Sequence, residues 1–163
     1  MKKGISRLIK NFFLLSVVCP FAFHSLITGT VSADTVQAVD VSSACPQKRK
    51  TPKAPVKEYS RVNPLPGTPE NIKAGEQIFL KKATPIACQF CHGVKGDSKG
   101  DPDFESKPAA RNFTCSEMME AIPDGQLFWV IKNGSPNTAM PAFSDLSEES
   151  VWQVIHYIRQ FAN

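Results

Sequence analysis

The sequence lacks any convincing run of alternating apolar and polar residues over the length of a β-strand, and it contains no internal repeat. The sequence therefore gives no indication of a sheet protein or a repeat architecture. A βαβ pattern is missing as well, which argues against the α/β folds that carry thioredoxin-like dithiols. The sequence that remains is typical of a helical protein with long loops.

A long hydrophobic run is also missing. The clean apolar stretch at residues 12–23 is short of the about 20 residues that cross a bilayer as a helix. It follows the basic segment MKKGISRLIK and precedes HSLITGTVSADT, an order that is typical of a secretory signal peptide over residues 1–33. Cleavage is expected after Ala33. An uncleaved membrane anchor is the alternative, and the bulky residues before Cys19 argue against a lipoprotein site.

Net charge gives no reason to expect a nucleic-acid partner. Removal of residues 1–33 takes four of the 19 basic residues, and the 15 that remain balance the 15 acidic residues. The excess of positive charge therefore belongs to the predicted leader rather than to the mature chain.

Residues 34–69 are rich in proline and carry more basic than acidic residues. Each proline removes a backbone donor and biases the preceding residue away from helix, so this segment is predicted to be an extended, flexible tether. The 94 residues at 70–163 are enough for one small domain and too few for two.

Four segments in or next to this domain are predicted to be helices, and their sequences are PENIKAGEQIFLKKA, SEMMEAI, PDGQLFWVIKNG and DLSEESVWQVIHYIRQFAN. Thr68, Ser116 and Ser147 are the predicted N-terminal caps, and Gly134 is a predicted stop. The sequence between Gly93 and Cys115 is mostly loop, and loops of this length usually wrap something or carry function.

The stretch IACQFCHGVKGD contains Cys88, Cys91 and His92 in a C-x-x-C-H pattern. A zinc site would need a second pair of ligands at short spacing, and Cys45 and Cys115 each stand alone. A disulfide between the two motif cysteines would leave His92 without a role. Haem attachment uses all three residues, because the cysteines form thioethers with the porphyrin and the histidine ligates its iron.

A second axial ligand is predicted in the loop sequence NGSPNTAMPAF, where Met140 is followed by a proline. Met118 and Met119 are on a predicted helix, where methionine more often fills gaps in the core. A loop methionine between rigid neighbours is a better candidate ligand. Histidine opposite a thioether favours ferrous iron and raises the reduction potential, as expected of an electron carrier.

From about Pro69 to Phe161 the sequence resembles the class I monohaem c-type cytochromes, in the elements KAGEQIF, CQFCHG, GDSKGDPDF, PAARNF and DGQLFWVIKNGSPNTAMPAF and in the final helix. The resemblance implies an all-α fold of four to five short helices wrapped around one covalent haem c. It also implies a close crossing of the first and last helices, with matching positions at Gly75, Phe79 and Tyr157.

The resemblance further implies that a proline carbonyl accepts a hydrogen bond from Nδ1 of His92, with Pro102 at the matching position and Pro108 as the alternative. Arg111 and Trp129 are candidate donors to a haem propionate, with a solvated loop arginine the equal alternative for Arg111. His156 is expected to be a surface or internally satisfied histidine, and bis-histidine ligation is the less favoured alternative.

We expect single-electron transfer by haem c between extracytoplasmic, periplasmic redox partners, without enzymatic bond chemistry. One alternative is a cytochrome subunit of a larger respiratory oxidoreductase. Another is a gas sensor or peroxidase, if Met140 does not bind iron. Membrane association is expected only through an uncleaved N-terminus or a membrane complex.

Two further features stay open at the level of sequence. Cys45 and Cys115 would form a disulfide in an oxidising compartment, yet two isolated thiols do not establish one. Partner docking is predicted to use a basic rim facing an acidic loop, although scattered solvated charge is an equal interpretation. The rim candidates are Lys81, Lys82 and Lys132, and the loop candidates are Asp97, Asp101, Asp103 and Glu105.

Overall fold

The computed structural model describes residues 44–47, 49–104 and 106–163. The predicted signal peptide and the first part of the predicted tether lie outside these residues. The described part is all-helical and contains no strand, which confirms the all-α prediction. Its helices are α1 (Val56–Tyr59), α2 (Pro69–Gln77), α3 (Gln89–His92), α4 (Ser116–Glu120), α5 (Asp124–Asn133) and α6 (Glu148–Arg159).

The six helices exceed the predicted four to five because two single-turn helices, α1 and α3, carry no periodic sequence signal. A π-helical turn, Ile78–Lys82, continues α2, and a 3₁₀ turn, Gln160–Ala162, continues α6. Within the described residues, no helix has the length and apolar character that a membrane span requires.

Helices α2 and α6 cross in close contact, and both begin at the caps that the sequence predicts. Thr68 Oγ1 accepts a hydrogen bond from the first turn of α2, and Ser147 Oγ accepts one from the first turn of α6. At the crossing, a Cβ on Gly75 would lie 2.0 Å from the carbonyl oxygen of Gln153, so only glycine permits this approach. The rings of Phe79 and Tyr157 meet edge to face at 5.4 Å beside it, as expected.

The apolar face of α6 forms the centre of the hydrophobic core. It consists of Val151, Trp152, Val154, Ile155 and Ile158, all buried. This burial, worth about 1.5–3 kcal/mol for each large side chain, fixes α6 against α2 and α5. The core positions α2, α5 and α6 as a rigid frame for the loops between them.

Arg159 at the end of α6 ties the α4–α5 junction to this frame. Its Nε and Nη2 donate to Asp124 Oδ1 at 2.9 and 2.6 Å. Nη1 donates to the carbonyl of Met119 at 2.5 Å, and Nη2 also donates to that of Ile122 at 2.6 Å. One guanidinium therefore binds a carbonyl near the end of α4, the carbonyl of Ile122 after it and the first residue of α5.

The described part of the segment predicted as a tether packs against the helices. Cys45 and Cys115 form a disulfide across 70 residues of sequence, with their Cα atoms 5.5 Å apart. Ala54 is buried, and its N–H donates to Gln126 Oε1 at 2.8 Å. In return, Gln126 Nε2 donates to the carbonyl of Pro52 at 3.1 Å. Because its prolines leave the segment few backbone partners of its own, side chains of the domain supply them.

Candidate functional site

A cavity of about 670 Å³ lies between the C-x-x-C-H motif, the Met140 loop and helices α4 to α6. A cavity of this size fits one cofactor-sized molecule. Its walls include Cys88, Cys91, His92, Arg111 and Met140, so the structure brings five of the predicted site residues together. The apolar side chains expected to surround a porphyrin also line it, namely Phe79, Ile86, Phe113, Leu127, Ile131 and Phe143.

The motif forms one helical turn. The N–H of His92 donates to the carbonyl of Cys88 at 3.0 Å. Cys88, Cys91 and His92 therefore lie on one face of this turn, and all three line the cavity. Cys88 and Cys91 are free thiols. Burial raises the pKa of Cys88 to about 12 and also raises that of Cys91. A redox-active dithiol requires the opposite shift, toward an easily formed thiolate.

His92 is buried and held in one orientation. Its Nδ1 lies 3.0 Å from the carbonyl oxygen of Arg111, and its ring stacks on Phe113 at 4.5 Å with 15° between the planes. Burial lowers the pKa of His92 to about 4, so the ring is neutral at physiological pH. A neutral ring that donates from Nδ1 to a carbonyl leaves the lone pair of Nε2 available to a metal.

The carbonyl beside His92 is not the predicted one. Pro102 is exposed and lies outside the cavity wall, and Pro108 lines the cavity but is not the acceptor. The chain instead returns past the motif, where Ser98 Oγ donates to the carbonyl of Ala110 at 2.6 Å, and this brings the Arg111 carbonyl to Nδ1. The prediction assigned the role by sequence position, and the path of the loop decides it.

Met140 lies half-buried in the cavity wall, in a loop closed by its own hydrogen bonds. The N–H of Ser135 donates to the carbonyl of Met140 at 3.2 Å, and the N–H of Met140 donates to Thr138 Oγ1 at 3.2 Å. Gly134 ends α5 with φ of 73°, and a Cβ there would lie 2.9 Å from the Met140 carbonyl. Gly134, the predicted stop of the helix, therefore also sets the position of the loop that carries Met140.

Arg111 reaches the cavity, whereas Trp129 does not line it. On α5 the cavity is lined by Gln126, Leu127, Val130 and Ile131, and position 129 falls on another face of the helix. The Nη1 of Arg111 donates to Met118 Sδ at 3.2 Å. Met118 also lines the cavity, so it does more than fill a gap in the core. Burial lowers the pKa of Arg111, and the charge of Arg49 lowers it further.

Sequence reasoning missed the contribution of the segment before α2. Pro46, Gln47, Arg49, Thr51, Lys53 and Tyr59 all line the cavity. The only signal in the sequence was the positive charge of this segment, because its contacts join residues that are 60 or more positions apart.

The donor atoms around the cavity fit a haem and do not fit a bare metal ion. Within the described ranges, no cluster of three or more His, Cys, Asp or Glu side chains is placed to hold a metal. His156 is not part of the cavity wall, and its Nε2 pairs with the carbonyl of Leu65 at 2.9 Å. Two thiols and a neutral imidazole beside apolar walls suit a covalently bound haem, and a thioether is a suitable second ligand for its iron.

Comparisons with known proteins point to the same class. The family described as cytochrome c oxidase, cbb3-type, subunit III, matches residues 70–158. A solved structure of similar fold belongs to the Kuenenia stuttgartiensis reducing HAO-like protein complex Kustc0457/Kustc0458, with 26% identity and a TM-score of 0.51. The match covers 61% of this chain and 47% of the other, so it spans about half of that protein's length.

Among curated proteins, no match is found. The family match covers more than half of the chain, and it contains the motif, His92 and Met140. The chain therefore belongs to the cbb3-type subunit III family of cytochrome c domains, and residues 70–158 form a class I-like, haem-based electron-transfer domain.

Proposed function

We propose that this protein carries single electrons on one haem c, attached through Cys88 and Cys91 and ligated by His92 and Met140. The observation that carries this proposal is a single cavity whose wall contains the complete C-x-x-C-H motif together with the loop methionine. The haem would supply the ferric–ferrous couple, and the chain supplies attachment, ligation and exclusion of water.

The residues around the cavity support these roles. His92 is fixed by the Arg111 carbonyl and by Phe113, which leaves Nε2 as its free metal-binding atom. The hydrogen bonds within the Met140 loop hold the second ligand in place. With both axial positions filled, no substrate has access to iron, so the protein is an electron carrier rather than an enzyme.

The proposed location is outside the cytoplasm, in the periplasm or its equivalent. The predicted signal peptide and the Cys45–Cys115 disulfide both support an oxidising compartment. The proposed partners are redox proteins that dock transiently, and Lys81 and Lys82 are exposed and free to contact them. Lys132 does not fit this rim, because its Nζ donates to the carbonyls of Ser144 and Leu146 at 2.5 and 2.7 Å.

The optical spectrum of the purified, full-length holoprotein tests the proposal. Covalent haem that survives acid extraction, with the weak far-red sulfur-to-iron charge-transfer band of the ferric state, is the expected result. Met140→Leu should abolish this band, whereas the control Met118→Leu, at another methionine in the cavity wall, should keep it. Loss of the band in Met118→Leu alone would reassign the ligand. If covalent haem lacks the band in the wild type and binds carbon monoxide rapidly when reduced, the sensor or peroxidase alternative would replace the proposal.

A second candidate is a cytochrome subunit of a larger oxidoreductase. Two observations support it: the matching family is described as an oxidase subunit, and the solved structure of similar fold belongs to a protein complex. Purification under mild detergent from native membranes distinguishes the two. A free carrier elutes at its own mass, whereas a subunit remains with a complex of high mass.

A further inference from the structure

The described residues of the segment 45–59, which are 45–47 and 49–59, cover one side of the cavity and lie outside the part of the chain that the cytochrome family matches. We call this segment the strap. Its first residue is fixed by the Cys45–Cys115 disulfide. At its end, α1 rests on α5, where a Cβ on Gly125 would lie 2.1 Å from the Glu58 carbonyl. The strap is thus held at both ends.

Side-chain hydrogen bonds fix the strap between these ends. Gln47 Nε2 donates to the carbonyl of Ala110 at 3.1 Å, and Gln47 Oε1 accepts from the N–H of Asn112 at 2.8 Å. Thr51 Oγ1 accepts from Arg111 Nη2 at 2.8 Å. These bonds bracket Arg49, so its position follows from the fold of the strap rather than from chance at the surface.

The strap and the loop before α4 concentrate positive charge at this cavity. Arg49 and Lys53 come from the strap, and Arg111 comes from the loop. Among the described lining residues the one carboxylate is that of Glu117, which is exposed. In the described part of the chain, no carboxylate lies within ion-pair distance of Arg49 or Arg111.

Two guanidinium groups that face one partly desolvated cavity repel each other. This arrangement is unfavourable unless an anion joins them. A planar guanidinium pairs best with a carboxylate, which it binds through two parallel hydrogen bonds. The ligand that satisfies both arginines therefore carries carboxylate groups at the edge of a mostly apolar body. The propionates of haem are carboxylates of this kind.

We propose that the strap completes the haem pocket and that Arg49, together with Arg111, binds the haem propionates. The proposal rests on the proposed function, since the haem supplies the carboxylates. Arg49 is a binding residue contributed from outside the cytochrome domain, and the disulfide keeps it at the cavity. Without the strap, the propionates would face Arg111 alone and a larger area of solvent.

Removal of Arg49 has two expected effects on the holoprotein. Loss of a nearby positive charge favours the ferric state, so the midpoint potential falls. An unpaired propionate also binds its proton more tightly, so the pH at which the potential begins to fall moves upward. Apart from the thiols of Cys88 and Cys91, which the haem would bind, the other charged or titratable groups lining the cavity are Lys53, Tyr59, His92, Arg111 and Glu117. The variant Glu117→Gln therefore shows which part of the pH profile belongs to that carboxylate.

The test is a redox titration of full-length holoprotein across the range from acidic to neutral pH. Arg49→Gln should lower the midpoint potential at neutral pH and shift the pH-dependent step upward. Arg49→Lys should fall between this variant and the wild type, because it keeps the charge but not the paired hydrogen bonds. The matched control is Lys50→Gln, which removes the same charge from an exposed neighbouring position outside the cavity wall and should behave as the wild type.

The outcomes separate the strap from the proposed function. If the wild-type protein is purified without covalent haem, the proposed function is refuted, and the strap then has no haem propionates to bind. Intact haem with equal potentials and pH profiles in Arg49→Gln and Lys50→Gln overturns the strap proposal alone. If Arg49→Gln does not accumulate, the paired variant Cys45→Ser, Cys115→Ser takes its place. That double variant should make the strap accessible to trypsin and should lower the midpoint potential. If trypsin cleaves the strap and the midpoint potential is unchanged, the proposal is overturned.

Discussion

Replacing Gly75 with alanine should destabilise the protein through the crossing of α2 and α6. A Cβ at this position would lie 2.0 Å from the carbonyl oxygen of Gln153 and 2.5 Å from its carbonyl carbon. Both are backbone atoms, so no side chain can move aside to relieve the contact. To restore an ordinary separation of about 3.4 Å, the two helices must move apart by about 1.4 Å.

The size of the effect follows from two opposing contributions. A gap of about 1 Å already forfeits up to half of the dispersion energy of the contacts that it opens, and overpacking typically costs about 1–3 kcal/mol. The Phe79–Tyr157 contact lies beside the crossing and is opened with it. Alanine favours the helix over glycine by about 1 kcal/mol. Because the clash is with backbone atoms, the overpacking cost should lie at its upper end, about 3 kcal/mol. We therefore expect a net loss of about 2 kcal/mol, or a fall in Tm of about 10 °C.

Thermal and urea unfolding of the holoprotein, followed by circular dichroism and by the haem absorbance, measures this loss. Gly67→Ala is the matched control, because a Cβ there would meet only the His156 ring at 3.6 Å, an ordinary contact distance. That variant should remain within about 0.5 kcal/mol of the wild type. If Gly75→Ala were as stable as Gly67→Ala, the claim that this crossing depends on glycine would be refuted.

Three further predictions follow from the same structure. Cys45→Ser should lower the free energy of unfolding by about 4 kcal/mol from loop-closure entropy across 70 residues, and Cys115→Ser by the same amount, as urea titration of each would show. Arg159→Ala should cost about 2 kcal/mol because four hydrogen bonds are lost, with Arg159→Lys intermediate; a neutral effect in calorimetry would contradict the assigned contacts. The haem-free double variant Cys88→Ser, Cys91→Ser should be largely unfolded, and a cooperative thermal transition in it would show that the domain does not need its cofactor.

The helices that the sequence predicts correctly are those whose signals are local. The caps at Thr68 and Ser147 and the stop at Gly134 act within a few residues of themselves, so no knowledge of the tertiary fold is needed to read them. Ser116 shows the limit of this reasoning. It is the first residue of α4 rather than its cap. Its hydroxyl donates instead to the carbonyl of Ala162, which is 46 residues later in the sequence.

In the candidate site, too, the features with local sequence signals could be predicted and those that depend on distant contacts could not. The motif and the Met140 loop are short sequence patterns, and the structure places both in one cavity. The carbonyl of Arg111 and the strap residue Arg49 could not be found in this way. The path of the loop back past His92 brings the carbonyl to the ring, and contacts between distant parts of the chain bring Arg49 to the cavity. Spacing in the sequence does not encode such contacts.

The disulfide between Cys45 and Cys115 implies an order of biogenesis. Residues 34–163 contain four cysteines, and under the proposed function Cys88 and Cys91 would have to stay reduced until the porphyrin is joined to them. The same bond holds a segment over the side of the cavity, so a chain oxidised too early would have its pocket covered before it is filled. In the cell, the haem-attachment machinery would therefore have to act on this protein before the thiol-oxidising machinery does. A strain that oxidises exported thiols unusually fast should accumulate a colourless form of the protein whose pocket has been closed too soon.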